Sequence, residues 1–170
     1  MQIYIRPFRI GDAADLAATL NNTNVQDNLK DGFPYPYAEA DASGYIQSVL
    51  FAERDTRYDF AIVADDRVVG SVGVFRLVNI YRYTAELGYY IAEPYWGKGI
   101  ATEAVRQACA YIFDQTDILR LYAECFAHNA ASCRVLENSG FQYEGLLRQN
   151  AVKNSTVLDM KIYGRLKADS

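Results

Sequence analysis

The chain has 170 residues, of which 51% are hydrophobic and 22% are charged, and its formal net charge at pH 7 is −4. This composition excludes intrinsic disorder, and the length suits one domain, residues 1–170, with a substantial core. The acidic balance argues against a general nucleic-acid-binding protein, and no apolar run is long enough to span a bilayer. We therefore expect a cytoplasmic protein that binds neither nucleic acid nor a membrane.

The first predicted elements are a strand and a helix. Residues Gln2 to Arg6 alternate as a strand does. A helix begins near Asp12, whose carboxylate we expect to cap it, and the Asn21-Asn22 pair ends it. The inward positions of this helix are Ala13, Leu16, Ala17 and Leu20.

A loop rich in aromatic residues, Gly32 to Tyr37, leads to the second predicted helix. Two prolines stiffen this loop. The helix presents one apolar face, which we expect to pack against a sheet. That face comprises Ala42, Tyr45, Ile46, Val49 and Leu50.

Three strands are predicted in the middle of the chain. Residues Asp59 to Ala64 and Arg67 to Phe75 form an antiparallel hairpin through Asp65-Asp66. The next strand, Thr84 to Ala92, alternates apolar and polar residues.

Two glycines, Gly97 and Gly99, lie between that strand and a helical run. Glycine adopts positive φ and permits close backbone approach, and the first turn of a helix offers unpaired N–H groups and the positive end of its dipole. The helical spacing after the glycines is carried by Ala101, Val105, Ala108 and Ile112. This junction predicts an anion site suited to a phosphate or pyrophosphate.

Two other kinds of phosphate loop share part of this pattern. A P-loop would need Ser or Thr after the lysine, whereas Lys98 is followed by Gly99. A dinucleotide fingerprint would need a third glycine near Thr102, although Glu124 would suit a ribose hydroxyl. Nucleotide binding at the glycines therefore remains an alternative.

The rest of the chain completes a mixed sheet. The helix after Gly99 crosses back to deliver a strand, Arg120 to Cys125, parallel to its predecessor. Asn129 caps a further helix, which Gly140 ends in a left-handed conformation. The last two strands are Phe141 to Ala151 and Thr156 to Arg165. We predict a mixed α/β sheet, mostly antiparallel, with one parallel pair near its centre and helices flanking it.

The cysteines do not have the pattern of a disulfide framework or of a metal site. Cys109, Cys125 and Cys133 are odd in number and lack CxxC spacing, so we expect free thiols. His128 lies between two of them, but no fourth ligand has the spacing of a zinc site. We expect no bound metal.

Two segments carry a resemblance to a known family. The segment Glu93 to Ala104 resembles the acetyl-CoA loop of the GNAT acetyltransferases, whose pattern is Arg or Gln, two residues, Gly, one residue, then Gly or Ala. The pattern here reads Trp96, Gly99 and Ala101, so Trp96 departs from the usual first residue. The segment His128 to Phe141 is similar to the Asn-x-x-Ser, Leu-Glu and Gly-Phe signature of the subgroup that contains the RimJ and RimL ribosomal-protein N-terminal acetyltransferases.

The resemblance implies a GNAT fold in which the parallel strand pair splays apart and holds the pantetheine arm of acetyl-CoA. It implies that the co-substrate lies on the backbone of the glycine loop. The implied cofactor-binding residues are Trp96, Gly97, Lys98, Gly99, Ile100, Ala101, Thr102 and Asn129. The side-chain amide of Asn129 offers the donor and the acceptor that a pantetheine amide requires.

The resemblance also implies two catalytic residues. Glu86 lies where the family often places a glutamate that accepts the proton of the amine, commonly through water. Ser132 is the serine of the Asn-x-x-Ser motif, and it would donate a hydrogen bond to the leaving thiolate at a helix N-terminus. A bulge near Tyr89 and Tyr90 is expected to expose a backbone N–H to the thioester carbonyl.

Aromatic residues are expected to form the wall of the acceptor side, namely Phe33, Tyr35, Tyr37 and Tyr90. The implied function is direct acetyl transfer to a primary amine, with a protein N-terminal α-amine as the favoured acceptor. Polyamines, aminoglycosides and amino acids are alternative acceptors, and a CoA-binding sensor without turnover is a further alternative. The chain is expected to act as a monomer or a homodimer.

Overall fold

Seven strands form a single mixed sheet in the computed structural model, which describes residues 1–170. In chain order the strands are β1 Ile3–Pro7, β2 Arg57–Ala64, β3 Arg67–Arg76, β4 Thr84–Ile91, β5 Arg120–Phe126, β6 Gln142–Lys153 and β7 Thr156–Leu166. Their spatial order is β1-β2-β3-β4-β5-β7-β6, and every neighbouring pair is antiparallel except β4 and β5. The predicted fold class is confirmed.

Helices cover both faces of this sheet. The five α-helices are α1 Ala13–Leu20, α2 Thr23–Gln26, α3 Glu39–Leu50, α4 Ile100–Gln115 and α5 Ala130–Asn138. Helices α4 and α5 pack on one face, and α1 and α3 pack on the other. No helix is both long and apolar enough to cross a membrane.

Strand alternation assigns the core residues to the two faces. On β2, Phe60 and Ile62 lie in the core beneath α4, whereas Ala61 and Val63 lie in the core beneath α1 and α3. Successive side chains of a strand point to opposite faces, so a strand buried on both sides needs this unbroken apolar run. The sheet thereby separates two apolar layers.

The parallel pair separates after three residue pairs. Thr84, Ala85 and Glu86 of β4 pair with residues 120–122 of β5, and no pairing follows, although both strands continue. Glu86 and Tyr122 therefore mark the point where the strands part. The predicted splayed pair is confirmed.

Three local expectations were wrong. Asp12 does not cap α1, because its carboxylate accepts hydrogen bonds from Arg6 and from the backbone N–H of Arg9. Leu50, expected on the inward face of α3, is the last residue of that helix and is 46% exposed. The bulge expected in β4 is absent from its ladder with β3, which runs in one register from Ala85 to Ile91.

Candidate active site

The turn before α4 presents an unbroken series of free backbone donors. Gly97 and Gly99 adopt φ values of 71° and 76°, in the left-handed region that glycine tolerates best. None of the N–H groups from Gly97 to Thr102 donates to an acceptor within the chain. No atom lies within 4 Å of the position that a Cβ would take at either glycine. The turn therefore presents its backbone to open space, as an anion site requires.

A cavity of about 490 Å³ adjoins this turn. Every residue from Trp96 to Thr102 lines it, as does Asn129 at the start of α5. Lys98 and Arg134 contribute positive charge at its border. Because the adjoining helix α4 is 16 residues long, its N-terminal dipole adds to the same positive potential.

Trp96 contributes to this cavity differently from the glycines. Its indole N–H donates to the carbonyl of Ile91 at 2.7 Å, and its backbone N–H donates to Glu93. Both N–H groups of Trp96 are therefore engaged within the chain. Trp96 is 45% exposed and forms part of the cavity wall.

The first turn of α5 positions a serine beside a tyrosine. The Asn129 side-chain oxygen accepts from the backbone N–H of Ser132 at 3.1 Å, which confirms the predicted cap. The Ser132 hydroxyl lies 2.7 Å from the hydroxyl of Tyr89 on β4. Burial raises the pKa of Tyr89, so this hydroxyl stays neutral at physiological pH. It donates to the backbone carbonyl of Ser132 at 3.2 Å, and in the hydroxyl pair either oxygen can be the donor.

Glu86 lies at the opening between β4 and β5. Its carboxylate is 2.5 Å from the ammonium of Lys30, and Tyr122 donates to its other oxygen at 3.5 Å. Burial, followed by the nearby charges of Glu86 and Glu124, raises the pKa of Tyr122 to about 12. Tyr122 is therefore a neutral hydrogen-bond donor to the carboxylate.

A second cavity, of about 270 Å³, contains Glu86. It meets the first cavity along a shared border. The residues that line both are Asn28, Leu29, Tyr89, Tyr90, Asn129 and Ser132. A group bound on the glycine turn and a group bound at Glu86 would meet beside Ser132 and Tyr89.

The predicted aromatic residues have different positions relative to this second cavity. Phe33 and Tyr90 line it and pack edge to face, with ring centroids 6.2 Å apart. Tyr35 lines neither cavity and is 60% exposed. Tyr37 is buried, packs against Phe33 with ring centroids 6.4 Å apart and lines neither cavity, so its predicted place in the wall was wrong.

One wall of the second cavity includes a buried carboxylate that is fully paired. Arg57 donates two hydrogen bonds to Asp59, and the hydroxyl of Tyr45 donates a third at 2.8 Å. The Asp59 side chain is 1% exposed. Because its charge is compensated, Asp59 acts as a structural part of the wall.

A short loop of residues 27–31 supplies Asn28 and Leu29 to the border that the two cavities share, and sequence reasoning did not identify it. Lys153 pairs with Asp31, Asn154 donates to Asp27, and Asn129 donates to Asn28. These partners lie 101 to 127 residues away in the chain, so no local sequence pattern indicates them. The same limitation explains why Lys30 was missed as the partner of Glu86.

Comparison with known proteins identifies the family. A model of the "Acetyltransferase (GNAT) domain" matches residues 2–142. The probable N-acetyltransferase YjcK of Bacillus subtilis is 32% identical over 98% of this chain and 95% of its own length. The ribosomal-protein-serine acetyltransferase of Escherichia coli is 27% identical over 86% of this chain and 81% of its own length. The spermidine N(1)-acetyltransferase of Vibrio cholerae is 24% identical over 94% of this chain and 90% of its own length.

Solved structures share the fold. RimL, a ribosomal L7/L12 alpha-N-protein acetyltransferase in complex with coenzyme A, superposes with a TM-score of 0.86 at 20% identity, covering 98% of this chain and 94% of RimL. The microcin C7 self immunity acetyltransferase MccE, in complex with acetyl-CoA and AMP, superposes with a TM-score of 0.84 at 23% identity. The match covers 97% of this chain and 92% of MccE. The chain belongs to the GNAT acetyltransferase family.

Proposed function

We propose that this protein transfers the acetyl group of acetyl-CoA directly to a primary amine, and that its acceptor is the N-terminal α-amine of a protein or peptide. One observation carries the proposal. The cavity with the free N–H groups and the cavity with Glu86 share a border at Ser132 and Tyr89. Direct transfer requires two substrates to meet at one point, and this arrangement provides it.

The first cavity fits acetyl-CoA. The free N–H groups from Gly97 to Thr102 match the oxygens of a pyrophosphate, while Lys98 and Arg134 add positive charge. The unpaired edges of β4 and β5 offer backbone groups to a pantetheine arm, as an added strand would use them. When bound, acetyl-CoA supplies a thioester carbon that an amine can attack and a sulfur that leaves.

Glu86 is the proposed proton acceptor. An amine is mostly protonated near neutral pH and has no lone pair for attack until a base removes a proton. Glu86 lies within the second cavity, and its Oε1 already contacts an ammonium, that of Lys30. Glu86 would take the proton of the acceptor, directly or through water.

Ser132 is the proposed hydrogen-bond donor to the leaving sulfur. Its hydroxyl lies in the first turn of α5, where the helix dipole favours negative charge. Tyr89 donates to the backbone carbonyl of Ser132, and its oxygen lies 2.7 Å from the Ser132 hydroxyl, whose proton would turn to the sulfur during transfer. Tyr89 is then a positioning residue rather than the donor itself.

The preference for an α-amine rests on its chemistry and on relatives. An N-terminal α-amine has a reference pKa of about 7.7 to 8.0, against about 10.4 for lysine, so it needs less help to lose its proton. The Escherichia coli relative and the RimL structure are named as ribosomal-protein acetyltransferases. A small polyamine is the second candidate, because the Vibrio cholerae relative is named for spermidine.

The test is the release of CoA thiol from acetyl-CoA in the presence of different acceptors. The set comprises peptides that begin with Ala or Ser, the same peptides with blocked N-termini, and spermidine. The proposal expects release only with a free α-amine, and mass spectrometry should locate the acetyl group on that amine. Release with spermidine alone would replace the peptide with a small amine, and release with no amine would contradict the proposed transfer.

A further inference from the structure

The second cavity contains a carboxylate that no protein group neutralises. Glu124 on β5 lines this cavity, and its side chain takes part in no ion pair or hydrogen bond of the structure. Glu124 lies two residues after Tyr122, so strand alternation places both side chains on one face. Tyr122 donates to Glu86, which identifies that face as the one that carries the proposed base.

The charges around this cavity do not balance. Its charged lining residues are Lys30, Asp59, Glu86 and Glu124. Asp59 is paired with Arg57, and Glu86 is paired with Lys30. Glu124 is therefore an excess negative charge in a partly enclosed space, where a carboxylate gains from a cationic partner.

Lys30 indicates how a cationic acceptor can enter. Its ammonium, at the end of a flexible four-carbon stem, contacts Glu86 at 2.5 Å, yet the side chain is 71% exposed. An exposed ion pair of this kind contributes little stability, so an incoming ammonium can replace Lys30 at Glu86 at small cost. Lys30 would then return to solvent, and the cavity would hold two carboxylates and one acceptor charge.

The spacing of the two carboxylates sets the size of the acceptor. Glu86 pairs with Tyr122, and Glu124 is two residues further along the neighbouring strand. Strand rise and the spacing of paired strands give a minimum Cα separation of roughly 8 Å for Glu86 and Glu124, and the parting of the two strands beyond Tyr122 increases it. Two cations held by these side chains would lie at a similar distance, as in a short diamine or in a peptide with a basic side chain next to its N-terminal residue.

We propose that Glu124 binds a second cationic group of the acceptor, so that this enzyme selects dicationic amines over monocationic ones. The proposal rests on the proposed function, because it assumes that the first amine occupies Glu86. The recognised chemistry is a primary amine with a second positive charge nearby. A basic peptide N-terminus and a small polyamine both supply it.

Two pairs of acceptors of similar size test the proposal. One pair is an Ala-Arg peptide and the same peptide with citrulline in place of arginine, which removes the charge and keeps the shape. The other pair is 1,4-diaminobutane and pentylamine. The kcat/KM of each is measured through CoA thiol release for the wild type, for Glu124→Gln and for Glu53→Gln, a matched change at an exposed residue outside both cavities.

We expect the wild type and Glu53→Gln to prefer the dicationic member of at least one pair by about tenfold, and added salt should reduce this preference. Glu124→Gln should lose the preference through a higher KM for the dication, while it still acetylates the monocationic analogue, which shows that the variant is folded. The pair that responds identifies the source of the second cation.

Two results would overturn the proposal. One is a wild-type enzyme that acetylates both members of each pair equally well, and the other is a preference that survives in Glu124→Gln. Either result leaves the proposed function intact, because transfer itself is observed. Transfer to none of the four amines would instead overturn the proposed function and this inference together.

Discussion

The two cavities of the candidate active site are built from different parts of the chain. The first includes one continuous turn, Gly97 to Thr102, which offers backbone N–H groups. The second is formed by side chains from separate segments, including Lys30, Phe33, Glu86 and Glu124. A backbone site tolerates changes of side chain as long as the turn keeps its conformation, whereas each side-chain change alters the second cavity directly. This difference predicts which kinetic constant each substitution changes.

The largest effect is expected from Glu86→Gln. This change removes the proposed proton acceptor and keeps the shape of the side chain, so kcat should fall by about 100-fold to 1,000-fold. The KM for acetyl-CoA should not change, because Glu86 borders only the second cavity. Steady-state kinetics with Glu53→Gln as the control measures both constants. An unchanged kcat would remove Glu86 from the mechanism.

A smaller loss of kcat is expected from Ser132→Ala, about tenfold to 100-fold, because the helix N-terminus still stabilises the thiolate after the hydroxyl is lost. Helix α5 should survive, since Asn129 caps it through the backbone N–H of residue 132. Ser48→Ala, at an exposed position of α3, is the matched control.

Tyr89→Phe should lower kcat less than Ser132→Ala does. The reverse order would make Tyr89 the hydrogen-bond donor to the leaving sulfur.

Gly99→Ala should affect the first cavity alone. An alanine at φ 76° costs about 1 to 2 kcal/mol, although there is open space for its Cβ. We expect the KM for acetyl-CoA to rise about tenfold with the KM for the amine unchanged. Trp96, the single tryptophan of the chain, lines this cavity, so its fluorescence can measure acetyl-CoA binding directly.

Gly44→Ala is the control for that change, because Gly44 lies within α3, has normal φ and has no atom near the position of a Cβ. It should leave both KM values unchanged and should stabilise the helix slightly. A higher KM for the amine in Gly99→Ala would show that the two cavities are not independent.

The smallest effect on activity is expected from Asp12→Asn, because Asp12 lines neither cavity. Burial alone would raise the pKa of Asp12. The hydrogen bonds from Arg6 and from the backbone of Arg9, with the charges of these residues, outweigh burial, so the pKa of Asp12 lies below its usual value. The charged form therefore stabilises the fold above a pH of about 3.9, the reference value, and this stability is lost as pH falls through the lowered pKa.

Thermal unfolding of Asp12→Asn and the wild type across pH measures this contribution. We expect a lower Tm for Asp12→Asn at neutral pH and a shrinking difference in acid, with kcat and both KM values unchanged. A Tm difference that does not depend on pH would assign the effect to packing instead.

The same contrast explains what could be predicted from the sequence. The glycine turn and the Asn129 cap are local, because positive φ and side-chain capping depend on adjacent residues. The alternating strands and the periodic helix α4 were likewise predictable from spacing. The splayed strand pair followed from the family resemblance.

The second cavity could not be predicted in the same way. The contact of Lys30 with Glu86 joins residues 56 positions apart, and the hydroxyl pair of Tyr89 and Ser132 spans 43 positions. Phe33 and Tyr35 belong to one loop and are alike in chemistry, yet only Phe33 lines the cavity. Loop packing decides that outcome, and no local pattern encodes it.

Initial rates measured with both acetyl-CoA and an α-amine peptide varied test the central claim most directly. Two cavities that hold their substrates together and meet beside Ser132 require both to be bound before transfer. The account predicts double-reciprocal lines that intersect. Parallel lines, the sign of a ping-pong mechanism with a covalent acetyl-enzyme, would contradict direct transfer between the two cavities.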